Sequence, residues 1–231
     1  VSRVGGNPYE FYGLQANGVY STQAEASEAA LTNSSNQAYS AGDVRYVDQN
    51  NDGRIDSKDY VSLGSATPDY FGGFYTNIRY KHFALAAEFS YSKRNEAYNA
   101  VRRTLESVSS FSNQSVAVTN RWNVEGQVTN IPRASYGDAI GNNNFSSRWI
   151  EDASFLRMKS ITLSYNFDKP VWNFFRSGTI YVTGENLLTA TKYLGMDPEF
   201  AYSSGSNATQ GFDYAKVMQP KSVKLGINLK F

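Results

Sequence analysis

The chain has 231 residues, enough for one large domain or two small ones, and its 22 Lys and Arg nearly cancel 21 Asp and Glu, leaving a net charge of +1. No Lys or Arg run occurs, which argues against nucleic acid as a partner, because a phosphate-binding surface needs a clustered basic excess. Cysteine is absent, so thiolate metal sites, disulfide frameworks and cysteine nucleophiles are excluded.

No basic leader with an apolar stretch follows Val1, so a signal peptide is not expected within these residues. No apolar run approaches the ~20 residues of a membrane helix; the longest, 83–87, stops at Glu88. Yet 17 Tyr and 14 Phe accompany a mean hydropathy of −0.48. Aromatics scattered among Asn, Ser and Gly without helical period point to many exposed or half-exposed strands.

The first motif is DQNNDGRIDSKD, residues 48–59. Asp48, Asn50, Asp52, Arg54 through its carbonyl, Asp56 and Asp59 stand at positions 1, 3, 5, 7, 9 and 12 of a calcium-type loop, with Gly53 at the sharp turn. Position 12 is Asp and not the longer bidentate Glu, and strand-like GDVRYV and turn-rich YVSLGSATPDY replace flanking helices. Weak, structural Ca2+ binding is one expectation. The other is a turn held by side-chain-to-backbone bonds that binds nothing.

Next comes FYTNIRYKHFALAAEFSY. Phe74, Ile78 and Tyr80 share one face, a tight turn falls at Lys81-His82, and the return sets Phe83, Leu85, Ala87, Phe89 and Tyr91 on one face. Residues 92–154 are expected to hold two further strands or none. SITLSYNF places Ile161, Leu163, Tyr165 and Phe167 opposite Ser160, Thr162, Ser164 and Asn166. In TIYVTGENLL, Ile180 and Val182 oppose Tyr181, Thr183 and Glu185. The tail KSVKLGINLKF alternates Val223, Leu225, Ile227, Leu229 and Phe231 with polar residues and glycine.

Such segments approach the ~9–11 residues a tilted strand needs to cross a bilayer. Glu88, Asn166, Glu185 and Lys224 on the second face suit a wet lumen, and Tyr80, Tyr91 and Phe167 sit where an aromatic girdle belongs. With Phe231 on the periplasmic side, the short connections 81–82 and 168–178 fall inside and the long ones, 92–154 and 189–220, fall outside, as barrels require. Five clear strands do not close a barrel of ~8 or more, so the chain is expected to be incomplete on its own, since open sheet edges are not tolerated in lipid.

In order along the chain, FYGLQANGVYST, AGDVRYVDQNNDGRIDSKDYVSLGSATPDYFGGF, WIEDASFLRMKSITLSYNF and IYVTGENLLTATKYLGMDPEF resemble the C-terminal portion of SusC-like TonB-dependent transporters. The resemblance implies an all-β antiparallel transmembrane barrel of the large plugged kind, with ~22 strands and long extracellular loops. It implies active import of oligosaccharides or oligopeptides across a Gram-negative outer membrane. A SusD-like surface lipoprotein would act as lid, and TonB, the plug domain and the rest of the barrel are the other partners. Phe231 would be the C-terminal assembly signal. Residues 1–71 are then expected as an extracellular loop region carrying the 48–59 loop, and 72–231 as barrel strands and loops.

An enzyme is not expected. His82, the only histidine, sits in a tight turn with no pocket for a triad, and no Walker or dinucleotide fingerprint occurs. Trp122, Trp149, Tyr193 and Tyr202 fall in outer loops, where aromatics either stack on ligand or pack loops and the lid together; packing is the favoured reading. Two rivals remain: a calcium-stiffened structural or adhesive barrel, and a soluble glycan-binding sandwich, against which the outward alternation of 223–231 argues.

Overall fold

A computed structural model describes residues 4–167, 176–199 and 210–230. The chain divides into two compact units, each discontinuous in sequence: 1–67 with 96–152 and 200–216, and 68–95 with 153–199 and 217–231. The boundary expected between 71 and 72 therefore catches only the first crossing. The stretch 96–152 belongs with the N-terminal residues, a grouping that no composition shift announces.

The second unit is a five-stranded antiparallel sheet. In spatial order its strands are Ser222–Lys230, Ser177–Thr191, Phe155–Phe167, Phe83–Lys93 and Tyr70–Tyr80. All five expected strands are present, and most run longer than their alternation indicated. Lys81, at φ 52°, turns the first hairpin, pairing Tyr80 with Phe83 and Phe74 with Phe89, whose rings stack 4.6 Å apart. Residues 92–154 add no strand to this sheet: Glu96–Asn99 and Ile150–Asp152 are short and pair in a separate sheet with Phe212–Asp213.

Cross-strand register carries the period-two pattern across the whole sheet. Ile78, Leu85, Leu163, Val182 and Leu225 form one continuous row, and Tyr80, Phe83, Tyr165, Ile180 and Ile227 form the next. All ten side chains are exposed. The opposite face carries the Thr162–Thr183 hydroxyl pair at 2.8 Å and Glu185, which accepts from Ser222 Oγ at 2.9 Å and Lys224 Nζ at 2.5 Å. On that face Gly226 lacks a Cβ because the Tyr181 ring lies where one would sit. The sheet is therefore apolar on its exposed face and polar on the other, the reverse of a soluble sandwich. No helix among the described residues is long and apolar enough to cross a membrane, which says nothing of strands.

A bulge alters the pattern once. Met158 pairs with Phe89 while Ser160 pairs with Glu88, so Lys159 is an extra residue against the neighbouring strand. Below it the odd residues Ile161, Leu163 and Tyr165 share the apolar face; above it the even Leu156 and Met158 take that face, and Arg157 turns to the polar side. This is the usual use of a bulge, which re-aims side chains without breaking the sheet.

The first unit contains small sheets and loops around two cores, one centred on Leu14, Tyr20, Val44 and Tyr46, the other on Phe11, Tyr98 and Trp149. Its polar hub is Asp43 of the GDVRY motif, which is fully buried. Arg133 donates to both Asp43 oxygens at 2.8 and 3.1 Å, Asn142 Nδ2 donates at 3.1 Å, and the Ser40 N–H at 2.9 Å. Every acceptor is used, which is how a buried carboxylate becomes tolerable. The helix Gln23–Ala29 starts at Thr22, whose hydroxyl accepts the Glu25 N–H, an ordinary N-cap.

Candidate functional site

In the 48–59 loop every expected ligand side chain serves the backbone. Asp48 accepts the N–H groups of Asn51 and Gly53 at 2.8 Å each, Asn50 that of Asp52, and Asp52 that of Arg54. Asp56 and Asp59 form a reciprocal capping box over Ser57–Asp59, and Asp59, fully buried, also accepts the Gln49 N–H at 2.9 Å. Gly53 takes φ 77° and Asn51 φ 59°, left-handed angles that Gly and Asn accept most readily. Ile55 enters the core as Arg54–Ile55 pairs with Thr32–Asn33. Among the described residues no three His, Asp or Glu side chains gather in a way that would hold a metal.

The described aromatic candidates each have their own surroundings. Trp149 is 0% exposed, with the Arg148 guanidinium 4.4 Å and that of Arg102 5.7 Å from its ring centre, so it presents no face to a ligand. Burial pulls the Arg148 pKa down to about 10, its largest cause, which leaves the group charged at neutral pH. Tyr193 is buried. Trp122 is half-buried, lies on Gly42 and donates from Nε1 to the Ser21 carbonyl at 3.1 Å. Tyr202 and Phe231 lie outside the described residues. His82 is exposed in its turn, 5.8 Å from the Tyr165 ring.

The structure joins two motifs that the sequence shows separately. Arg157 and Lys159 come from SFLRMK, and Asp197 and Glu199 from GMDPEF. Arg157 is 3% exposed and Asp197 5%, and the guanidinium Nη2 bonds Asp197 Oδ1 directly. Nη1 lies 3.1 Å from Glu199 Oε2, close enough for an ion pair but too poorly aligned for a hydrogen bond. Lys159 Nζ reaches both Glu199 oxygens at 2.6 and 2.5 Å. Asp197 also accepts the Gln219 N–H at 3.1 Å and the Glu199 N–H at 2.9 Å.

One carboxylate therefore ties the strand wall to both ends of the connection between Ser177–Thr191 and Ser222–Lys230. Burial alone would raise the Asp197 pKa; the Arg157 bond, the two backbone donors and the Arg157 charge together outweigh it and hold the carboxyl below its usual range. The sequence signal for this clamp was two basic residues spaced i, i+2 and two acidic residues spaced i, i+2, with nothing to say that they meet.

No protein-family model matches the chain. The chain is 31% identical over 226 residues to the TonB-dependent receptor P26 of Formosa agariphila, covering 96% of this chain and 22% of that protein. To the TonB-dependent receptor SusC of Bacteroides thetaiotaomicron it is 29% identical over 193 residues, 80% of this chain and 17% of that protein. Among solved structures, the RagAB peptide importer in its open-open state superposes with a TM-score of 0.73 at 23% identity, covering 98% of this chain and 23% of that one, a likeness of fold. The chain thus spans about a fifth of the length of the curated relatives it matches. The five-stranded sheet is a sector of a transmembrane barrel wall, its exposed apolar face the lipid face. Related along nearly all its residues to receptors of one kind, and folded as a stretch of their barrel, the chain is a portion of a SusC-like TonB-dependent transporter.

Proposed function

We propose that the protein to which this chain belongs imports oligomeric nutrients, oligosaccharides or oligopeptides, across the outer membrane of a Gram-negative bacterium. The observation that carries the reading is the kinship with TonB-dependent receptors along 96% of the chain, and the lipid-facing rows of the sheet support it. In this reading a SusD-like surface lipoprotein captures ligand over the barrel, and TonB drives release of a plug held elsewhere in the protein. The present residues supply wall and loops. The 48–59 loop acts as a rigid surface turn, and the Arg157–Asp197 clamp fixes a loop base at the rim of the polar face. No arrangement of catalytic groups enters the mechanism; the work is binding and conformational gating.

Native mass spectrometry of the detergent-extracted complex, with denaturing analysis of its components, tests the reading. A co-purifying lipoprotein together with a bound oligosaccharide or oligopeptide is expected. A lone polypeptide without lid or ligand, in cells that take up no oligomer through it, would move the assignment to a structural or adhesive barrel.

A further inference from the structure

We propose that the loops spanning 108–136 form a subsite for an acidic sugar residue of an oligosaccharide, a reading that rests on the importer function above and narrows its substrate class. These loops line a cavity of about 350 Å3, within the range of small-ligand sites. At its mouth Phe111 is 93% and Tyr136 76% exposed, with ring centres 5.0 Å apart and planes inclined by 32°. Two large rings that no described residue covers, touching each other, offer rigid apolar faces at little conformational cost.

Charge selects what lies on those faces. Arg121 lines the same cavity, and among the described residues its guanidinium has no hydrogen bond or ion pair. The neighbouring guanidiniums are engaged: Arg102 by Glu106 and Glu151, Arg133 by Asp43, Arg148 by the Asn142 carbonyl. No Asp or Glu lines the cavity. Of the carboxylates nearest in sequence, Glu125 accepts the Gln23 N–H at 2.9 Å and Asp138 accepts the N–H groups of Asn142 and Asn143 at 2.7 and 2.8 Å. An unpaired guanidinium in a cavity without acid favours a carboxylate ligand, which it can grip with two parallel bonds.

The walls are preformed. Ser135 N–H donates to the Val108 carbonyl at 3.1 Å and Gly137 N–H to that of Ser109 at 2.9 Å, which holds the two loops side by side. Val108 sits at φ 46°, a left-handed angle that a β-branched side chain adopts only under compulsion, and such strain concentrates at binding sites. Gln114 spends its amide on the Ser110 carbonyl at 3.4 Å and keeps its own oxygen for a hydroxyl. None of the lining residues belongs to a β-strand, so a peptide has no sheet edge here to extend. Stacking faces, one carboxylate grip and hydroxyl partners together fit a sugar acid.

Isothermal titration of the full-length transporter in detergent, with tetragalacturonate, tetramannuronate, neutral cellotetraose and tetraglutamate, tests this. One of the two acidic tetrasaccharides binds and cellotetraose does not. Arg121→Ala weakens that binding about tenfold or more and Phe111→Ala about threefold to tenfold, with melting temperatures unchanged because neither side chain holds a buried partner among the described residues. Failure of both acidic tetrasaccharides to bind, or binding unaffected by Arg121→Ala, overturns the proposal. So does tetraglutamate binding with the same dependence on Arg121, which would make the cavity a peptide subsite. Loss of the co-purifying lipoprotein on Phe111→Ala with sugar binding intact would make it a lid contact. In each of those cases, uptake of another oligomer by cells carrying the transporter keeps the importer reading, whereas absence of any uptake removes that reading itself.

Discussion

Arg157→Ala removes one partner from a buried ion pair and leaves the other in place. Asp197, 5% exposed, would retain only the Gln219 and Glu199 N–H donors. Breaking a buried pair in this way costs about 3–5 kcal/mol. The lower end applies here, because two backbone donors still serve the carboxylate and Glu199 is a third exposed, so its own share is small. About 3 kcal/mol corresponds to roughly a hundredfold rise in the opening constant of the segment that Asp197 anchors. Hydrogen exchange by mass spectrometry on the full-length transporter reads this directly. Peptides covering 192–199 and 217–221 should lose about two decades of protection while those of the Tyr70–Tyr80 hairpin strand keep theirs. Arg157→Ala combined with Asp197→Asn should recover part of the loss, because the stranded charge is gone. Unchanged exchange in 192–199 after Arg157→Ala would refute the clamp and reduce the ion pair to a surface decoration.

The clamp also sets a pH dependence. The Asp197 pKa is lowered in the folded protein from its ordinary 3.8, so its contribution is fully present above that value and is lost as pH falls below it; exchange of 192–199 should be flat from pH 7 to 5 and accelerate beyond the intrinsic rate near pH 3. On the lipid face, Leu163→Arg should cost about 2–4 kcal/mol of folding in vesicles, read as loss of the compact band on unheated gels, whereas Thr162→Lys on the polar face should be tolerated; equal damage from both would contradict the assigned faces. Asp43→Ala strips acceptors from Arg133, Asn142 and Ser40 and should destabilise the first unit by about 3 kcal/mol, seen as loss of protection in 40–46 and 133–142. Asp48→Ala deletes two turn bonds worth about 1–3 kcal/mol together and should loosen 48–55. Millimolar calcium should leave exchange in the unsubstituted loop unchanged; calcium-dependent protection abolished by Asp48→Ala would show that the side chains rearrange around an ion.

The alternation in 74–91, 160–167, 179–188 and 222–231 determined the barrel strands, because a period of two needs no partner to be read. It also determined which face meets lipid, since Glu88, Thr183 and Lys224 fall opposite the apolar rows. The 48–59 spacing determined a tight Gly53-centred turn, but position in sequence does not say whether a carboxylate bonds backbone or cation. Only the tertiary structure decided the rest. The bulge at Lys159 reverses the alternation, so Arg157 and Lys159 cannot be placed by counting from Ile161, and their meeting with Asp197 and Glu199 spans 40 residues of sequence. The same is true of Asp43 and Arg133, 90 residues apart. Local periodicity reports the solvent on each side of a strand; pairing of buried charges depends on closures of the chain that no short pattern records.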